Sequence, residues 1–247
     1  MGSRTYAHRC AVPLLVAAAL LTSALLLVFP PAASADEYHK AIGRSEGLRV
    51  IRVHRFGDFS SPRKVLVFGC IHGNECEGIE ITRRLARGPI PTNIDLWIVH
   101  DLNPDGHRLG VRQNGRGVDL NRNFASEWTD IGRRWDPEYS GPRPWSERET
   151  RIARQLILRV RPDVTIWYHQ PQNLVRAWGQ SRAKARRYAS LAGERYGSIR
   201  WPRGTGPNWQ NHTFPGTAAF VVELPPGELA DGRAARHAQA VRRLLVP

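Results

Sequence analysis

His72 and Glu75 stand three residues apart in Gly69-Cys70-Ile71-His72-Gly73-Asn74-Glu75-Cys76-Glu77-Gly78, where they can aim an imidazole and a carboxylate at one point. That is half of a catalytic zinc site, which takes three protein donors and leaves a position for water. A lone His-x-x-Glu pair is far more often two surface side chains, so the third donor and the chemistry must come from elsewhere. His169 ends the apolar run Val164-Thr165-Ile166-Trp167-Tyr168, and Glu223 ends Ala218–Val222. An imidazole at a strand end can complete a donor set or simply be structural. A carboxylate among apolar neighbours has its pKa raised toward that of a useful base; its plainer reading is a hydrogen-bonded strand end. Between these lies a polar loop, Arg112-Gln113-Asn114-Gly115-Arg116-Gly117-Val118-Asp119-Leu120-Asn121-Arg122-Asn123-Phe124. Binding groups concentrate on loops held by a rigid sheet, and an arginine beside an asparagine suits bidentate capture of a carboxylate. The alternative is a surface turn with incidental arginines.

Local patterning predicts the elements that would carry these groups. Leu48–Phe56 alternates as a half-exposed strand, while Lys64–Phe68 and Ile94–Val99 read as buried ones. Ile79–Arg87 suits a helix, and Asp101–Gly106 reads as a turn. Trp128–Trp145, rich in Pro, Gly and Trp, should wrap the surface. Ser146-Glu147-Arg148-Glu149 has the form of a capping box ahead of a helix through Val160. Ser181–Tyr196 reads as a basic helix closed by Gly197, Trp201–Gly216 as a loop, and Ala234–Leu245 as a last helix. Strands alternating with helices imply an α/β fold: a mixed, mostly parallel twisted sheet with helices on both faces. His72, His169 and Glu223 all fall at or just past strand ends, which is the reason to gather them into one site.

Residues 1–35 carry Arg4 and Arg9, an apolar stretch over Ala11–Phe29 and a small-residue Ala33-Ser34-Ala35 pattern, as an export signal does. An uncleaved anchor is the alternative reading. Residues 36–247 then form a single catalytic domain, secreted to the cell envelope. The net charge of +14 falls to +12 without Arg4 and Arg9. It could favour acidic polymers or merely keep the surface solvated. With no recognition motif, no nucleic acid is expected as a partner. Cys70 and Cys76 bracket His72 and Glu75, and both a disulfide and a pair of small buried side chains remain open.

In this order and spacing, His72-x-x-Glu75, Asn103-Pro104-Asp105-Gly106, Arg112, Gly117-Val118-Asp119-Leu120-Asn121-Arg122-Asn123-Phe124, His169 and Val222-Glu223-Leu224-Pro225 resemble the zinc metallocarboxypeptidase family. The resemblance runs from about Lys64 to Pro226. It implies one zinc ion on His72, Glu75 and His169, with Glu223 as general base and Arg112 stabilising the oxyanion. It also implies that Asn121 and Arg122 hold the substrate's terminal carboxylate and that Asp119 orients His72. The wording of the loop is similar to the bacterial branch that trims peptidoglycan peptides, the murein peptide amidases and γ-D-glutamyl-diaminopimelate peptidases. The implied activity is hydrolysis of an amide bond beside a free carboxylate in cell-wall peptides, by a monomer. Competing readings are a general protein carboxypeptidase, an N-acyl amino acid deacylase and a catalytically silent wall-binding module. Two features depart from the digestive members: there is no room for an inhibitory pro-domain before Lys64, and no tyrosine lies between Tyr196 and Glu223 to close over substrate. Trp201, Trp209 and His212 are the candidates to replace it.

Overall fold

Lys64–Phe68 forms a buried strand, and the rest of the sheet is assembled around it. The computed structural model describes residues 1–3, 36–90, 92–200 and 202–245, so the segment read as an export signal lies outside the described residues from position 4 to 35. Eight strands make one sheet: β1 (Asp36–Arg44), β2 (Val50–Gly57), β3 (Lys64–Phe68), β4 (Asp95–Val99), β5 (Val164–His169), β6 (Leu174–Ala177), β7 (Tyr196–Ser198) and β8 (Ala218–Glu223). Their spatial order is β1-β2-β4-β3-β5-β8-β6-β7. The central β4-β3-β5-β8 block is parallel, β1-β2, β2-β4 and β8-β6 are antiparallel, and β6-β7 is parallel. The mixed sheet expected from the sequence is therefore present.

Among the described residues the α-helices are α1 (Gly78–Arg87), α2 (Pro104–Leu109), α3 (Arg148–Val160), α4 (Arg182–Ala192), α5 (Gly206–Thr213) and α6 (Asp231–Arg243). On one sheet face Ile81 and Leu85 of α1, Tyr188 of α4 and Ala238 of α6 pack against Val65, Val67, Ile166 and Phe220. On the other face Ile152 and Leu156 of α3 and Trp209 of α5 pack against Leu66, Phe68, Trp167 and Val221. Strand alternation divides the two cores, since neighbouring residues such as Leu66 and Val67 point to opposite faces. No helix among the described residues is long and apolar enough to cross a membrane.

Several local expectations are corrected. The expected Asp101–Gly106 turn instead runs into α2, because the Asn103 side chain accepts from Gly106 N–H at 3.0 Å and Pro104 presets the first turn. Helix α4 stops at Ala192, where Gly193 takes the left-handed conformation (φ 69°) and caps it, four residues before Gly197. The expected loop before Glu223 contains α5, started by Thr205, whose side chain accepts from Asn208 N–H. Strands β1, β6 and β7 escape pattern reading because they are short or lie toward the sheet edges, where apolar alternation is not needed.

The Ser146–Glu149 capping box does not form. Ser146 Oγ donates to Glu147 Oε1 at 2.6 Å, and Glu149 turns inward to accept from Glu46 N–H at 3.0 Å and Asn114 Nδ2 at 3.2 Å. Burial, with the Glu46 carboxylate nearby, pushes the Glu149 pKa up to about 7. A carboxyl whose pKa is raised by folding stabilises the native state below its ordinary pKa and loses that contribution as pH climbs through the raised value. Urea unfolding of the wild type should therefore show stability falling between about pH 4.5 and 7.5, by at most about 3 kcal/mol from this group. The Glu149→Gln variant should show a flatter curve; an equal slope in both proteins would refute the assignment.

Candidate functional site

The strands β3, β5 and β8 are neighbours, so the residues at their carboxyl ends meet. Phe68 lies opposite Trp167, and His169 lies opposite Glu223. The loop after Phe68 carries His72 and Glu75 into the same corner. It is tightly held: Leu102 N–H donates to Cys70 O, and Asn103 Nδ2 donates to Ile71 O and Gln113 O. Cys70 and Cys76 are joined as a disulfide across it, with α-carbons 4.7 Å apart, which decides between the two readings left open by the sequence. Gly73 is required here because a Cβ would come within 1.9 Å of the Gly106 backbone.

His72 Nδ1, Glu75 Oε2 and His169 Nδ1 form a triangle with edges of 2.9, 3.1 and 3.1 Å. His72 Nε2 lies 2.9 Å from Asp119 Oδ1. Burial alone would favour a protonated Asp119, but His72 and Arg112 hold its carboxyl well below the usual carboxylate range. An ionised Asp119 assigns the proton to His72 Nε2, so Nδ1 turns a lone pair toward the triangle. Glu75 is likewise held well below the usual range against its burial, by His169 and His72. Two ring nitrogens and a carboxylate oxygen at such separations repel one another unless a proton or cation lies among them. A tetrahedral ion with bonds of about 2.0–2.1 Å has donor–donor edges of roughly 3.3 Å, so the set fits zinc by spacing and by donor chemistry.

The polar loop lies against this triangle. Arg112 Nη1 donates to Glu75 Oε1 at 2.6 Å, while its Nε donates to Asp119 Oδ2 and Pro137 O, both at 3.0 Å. Asn121 Oδ1 accepts from Gly206 N–H, and its Nδ2 lies 3.3 Å from His169 Nε2. Arg122 donates to Asn121 O at 3.0 Å and pairs with Glu138. The Trp128–Trp145 segment thus supplies Pro137 and Glu138 as supports for the two arginines. Asp119 also accepts from Asn121 N–H at 2.8 Å, which ties the substrate-side loop to the His72 ring. Asp119→Asn should lower zinc affinity about 10–100-fold in a competition titration with a chromophoric chelator. Unchanged affinity would mean that His72 is oriented by other contacts.

Glu223 faces the same space with only 9% of its surface exposed, and its Oε2 is buried without a hydrogen-bond partner among the described residues. Burial raises its pKa; His169 works against this and the Glu75 carboxylate adds to it. The eight side chains named from the sequence divide between a cavity of about 220 Å³, lined by His72, Glu75, Arg112, Asn121, Arg122, His169 and Glu223, and the Asp119 support behind it. Sequence reading missed Gln170, Arg176, Trp178 and Thr205, which also line it. Arg176 and Trp178 sit on or just after β6, a strand with no sequence signal. Of the candidates to replace the covering tyrosine, Trp201 lies outside the described residues. Trp209 is 8% exposed and packs edge-on to Trp145 with ring centroids 5.1 Å apart, inside the core. His212 bonds to Ser126 Oγ and Asn208 O. Neither Trp209 nor His212 lines the cavity.

The zinc carboxypeptidase family model matches residues 38–199, a stretch that ends before Glu223. Murein peptide amidase A of Escherichia coli (strain K12) is 34% identical over 123 residues, covering 45% of this chain and 51% of that protein. Carboxypeptidase B of Astacus astacus is 22% identical over 182 residues, covering 61% and 59%. The chain spans about half the length of the curated relatives it matches. Among solved structures, murein-tripeptide amidase MpaA from Escherichia coli O157 superimposes with a TM-score of 0.68 at 25% identity, covering 88% of this chain and 92% of that one. The carboxypeptidase A from Helicoverpa armigera gives 0.72 at 17% identity over 84% and 67%, a likeness of fold.

Proposed function

The chain belongs to the zinc carboxypeptidase family, and from that premise we propose that it is a secreted, zinc-dependent hydrolase of the amide bond beside a free carboxylate in peptidoglycan-derived peptides. The observation that carries this reading is the convergence, in one cavity, of the His72–Glu75–His169 donors with a buried, partnerless Glu223 oxygen and the guanidinium groups of Arg112 and Arg122. His72, Glu75 and His169 would hold the ion. Bound zinc supplies a Lewis acid that polarises the scissile carbonyl and lowers the pKa of water toward about 7.

The protein's own groups do the rest. Asn121 and Arg122 hold the substrate carboxylate, which fixes the scissile carbonyl beside the donors. Glu223 Oε2, with no internal partner, takes the proton of the attacking water and returns it to the departing amine nitrogen. Arg112 Nη1, already turned into the cavity beside Glu75, offers positive charge to the oxygen that becomes anionic during attack. Asp119 keeps the proton on His72 Nε2, so that Nδ1 remains a donor.

The cell-wall substrate is supported by the likeness to the murein peptide amidases, one of which superimposes along nearly its full length. Export is supported by the Ala11–Phe29 stretch with its Ala33-Ser34-Ala35 pattern, and by the Cys70–Cys76 bridge, which suits an oxidising compartment. The deciding experiment is a mass-spectrometric digest of purified peptidoglycan stem peptides alongside ordinary C-terminal peptides and N-acyl amino acids, with zinc measured on the same preparation. Turnover confined to stem peptides is expected. Turnover only of ordinary peptides or of acyl amino acids would replace the substrate assignment, and binding without turnover of any would overturn the hydrolase reading.

A further inference from the structure

Three guanidinium groups line the cavity, and two of them are already engaged. Arg112 is bonded to Glu75, Asp119 and Pro137 O, and Arg122 to Glu138 and Asn121 O. Arg176 has no hydrogen bond or ion pair among the described residues, and its Nε is buried without a partner. Val221 lies opposite Arg176 across the sheet, and among the described residues Arg176 acts through space on the Glu223 carboxyl, lowering its pKa, with no hydrogen bond between the two. A half-buried guanidinium that faces a cavity and bonds to no carboxylate keeps its paired N–H groups available to a ligand's anion.

The sheet explains how Arg176 arrives there. On β6 it lies opposite Val221 of β8, two residues before Glu223, and Leu174 lies opposite Glu223. Because side chains alternate, Arg176, Val221 and Glu223 share one face. In sheet order β8 lies between β5 and β6, which places Glu223 between His169 on one side and Arg176 on the other. Asn121 rests against His169, so the Asn121–Arg122 pair and Arg176 approach the base from opposite sides. A ligand spanning them needs two anionic groups.

We propose that Arg176 binds a second carboxylate of the substrate, on the side chain of the residue whose terminal carboxylate is held by Asn121 and Arg122, so that the enzyme selects acidic, dicarboxylic residues. Arg176 is thus a specificity-determining residue, and the inference rests on the hydrolase reading above. A guanidinium fork pairs with a carboxylate in two parallel bonds and with the matching amide much less well, which defines the test.

The substrates are benzoyl-Gly-Glu and benzoyl-Gly-Gln, which differ only in a carboxylate against an amide. The wild-type holoenzyme should favour the acidic substrate at least tenfold in kcat/KM. Arg176→Gln should bring the ratio to about one, chiefly by raising KM for the acidic substrate, with the neutral substrate little changed. Arg176→Lys should restore part of the preference. Calorimetric binding of both compounds to zinc-loaded Glu223→Gln, with and without Arg176→Gln, reads the same preference without turnover. Loss of that binding preference in the double variant supports the inference even if hydrolysis of these compounds is absent, so the two readings fail separately. A wild type indifferent to the carboxylate in both assays would overturn the proposal. So would an equal loss on both substrates in Arg176→Gln, which would make Arg176 a tuner of Glu223 or a holder of the terminal carboxylate. Thermal midpoints show whether each variant is folded, and the Arg176→Lys comparison decides the matter if Arg176→Gln is not.

Discussion

Glu223→Gln should leave one zinc ion per chain in place while lowering kcat by about 10²–10⁴-fold, the usual contribution of a positioned general base. The substitution preserves side-chain shape at a site where Glu223 lies at the end of β8, opposite His169 of β5 and Leu174 of β6. It removes only the capacity to accept and return a proton. Glu223 is not one of the three donors that cluster, so metal analysis should be unaffected. Burial also disfavours the ionised carboxylate, so the neutral amide should cost no stability and could add some. The expected signature is therefore an inactive, metal-loaded protein at least as stable as the wild type. Wild-type turnover in this variant would remove Glu223 from the mechanism; loss of zinc would make it a ligand instead.

His169→Ala should have a different signature. With only His72 and Glu75 left, zinc affinity should fall by more than the roughly 100-fold typical of losing an outer hydrogen-bond partner, and hydrolysis should drop to the level of the chelated wild type. A ligand that binds only the folded state stabilises it by mass action, so the thermal midpoint of the wild type should rise on adding zinc and that of His169→Ala should not. His169 is 4% exposed at the end of β5, and truncation leaves a space facing the cavity rather than the apolar core, so the variant should still fold. A midpoint that still rises with zinc would show that His169 is not needed to hold the ion.

Much of the fold could be read locally. Lys64–Phe68 is a strand with the bounds its composition predicts, and α1 begins one residue before the expected Ile79. The errors cluster where local signals compete with distant partners. Ser146 and Glu149 have the chemistry of a capping box, yet Asn123, Asn114 and Glu46 recruit them into a buried network that joins segments up to 103 residues apart. Gly197 and Gly193 look alike as helix stops, and only the α-carbon geometry at Gly193 selects between them. Position in the chain makes Trp209 a candidate cover for the site, but an indole gains more by packing with Phe124, Trp145 and Phe214 than by standing over an open cavity.

The sequence by itself determined which side chains are available to bind an ion, support it and hold a substrate, since the types and order of His72, Glu75, Asp119, Asn121, Arg122, His169 and Glu223 are covalent facts. It also determined the central strands, whose apolar runs have nowhere to go but the core. Tertiary structure alone decided that β3, β5 and β8 are neighbours, that Arg112 leans on Glu75 and Asp119, and that Arg176 lines the cavity with its Nε lacking a hydrogen bond among the described residues. The division has a simple cause. Periodicity and turn chemistry act over a few residues, whereas strand order, charge pairing and burial depend on which distant segments are brought together when the two cores close on the sheet.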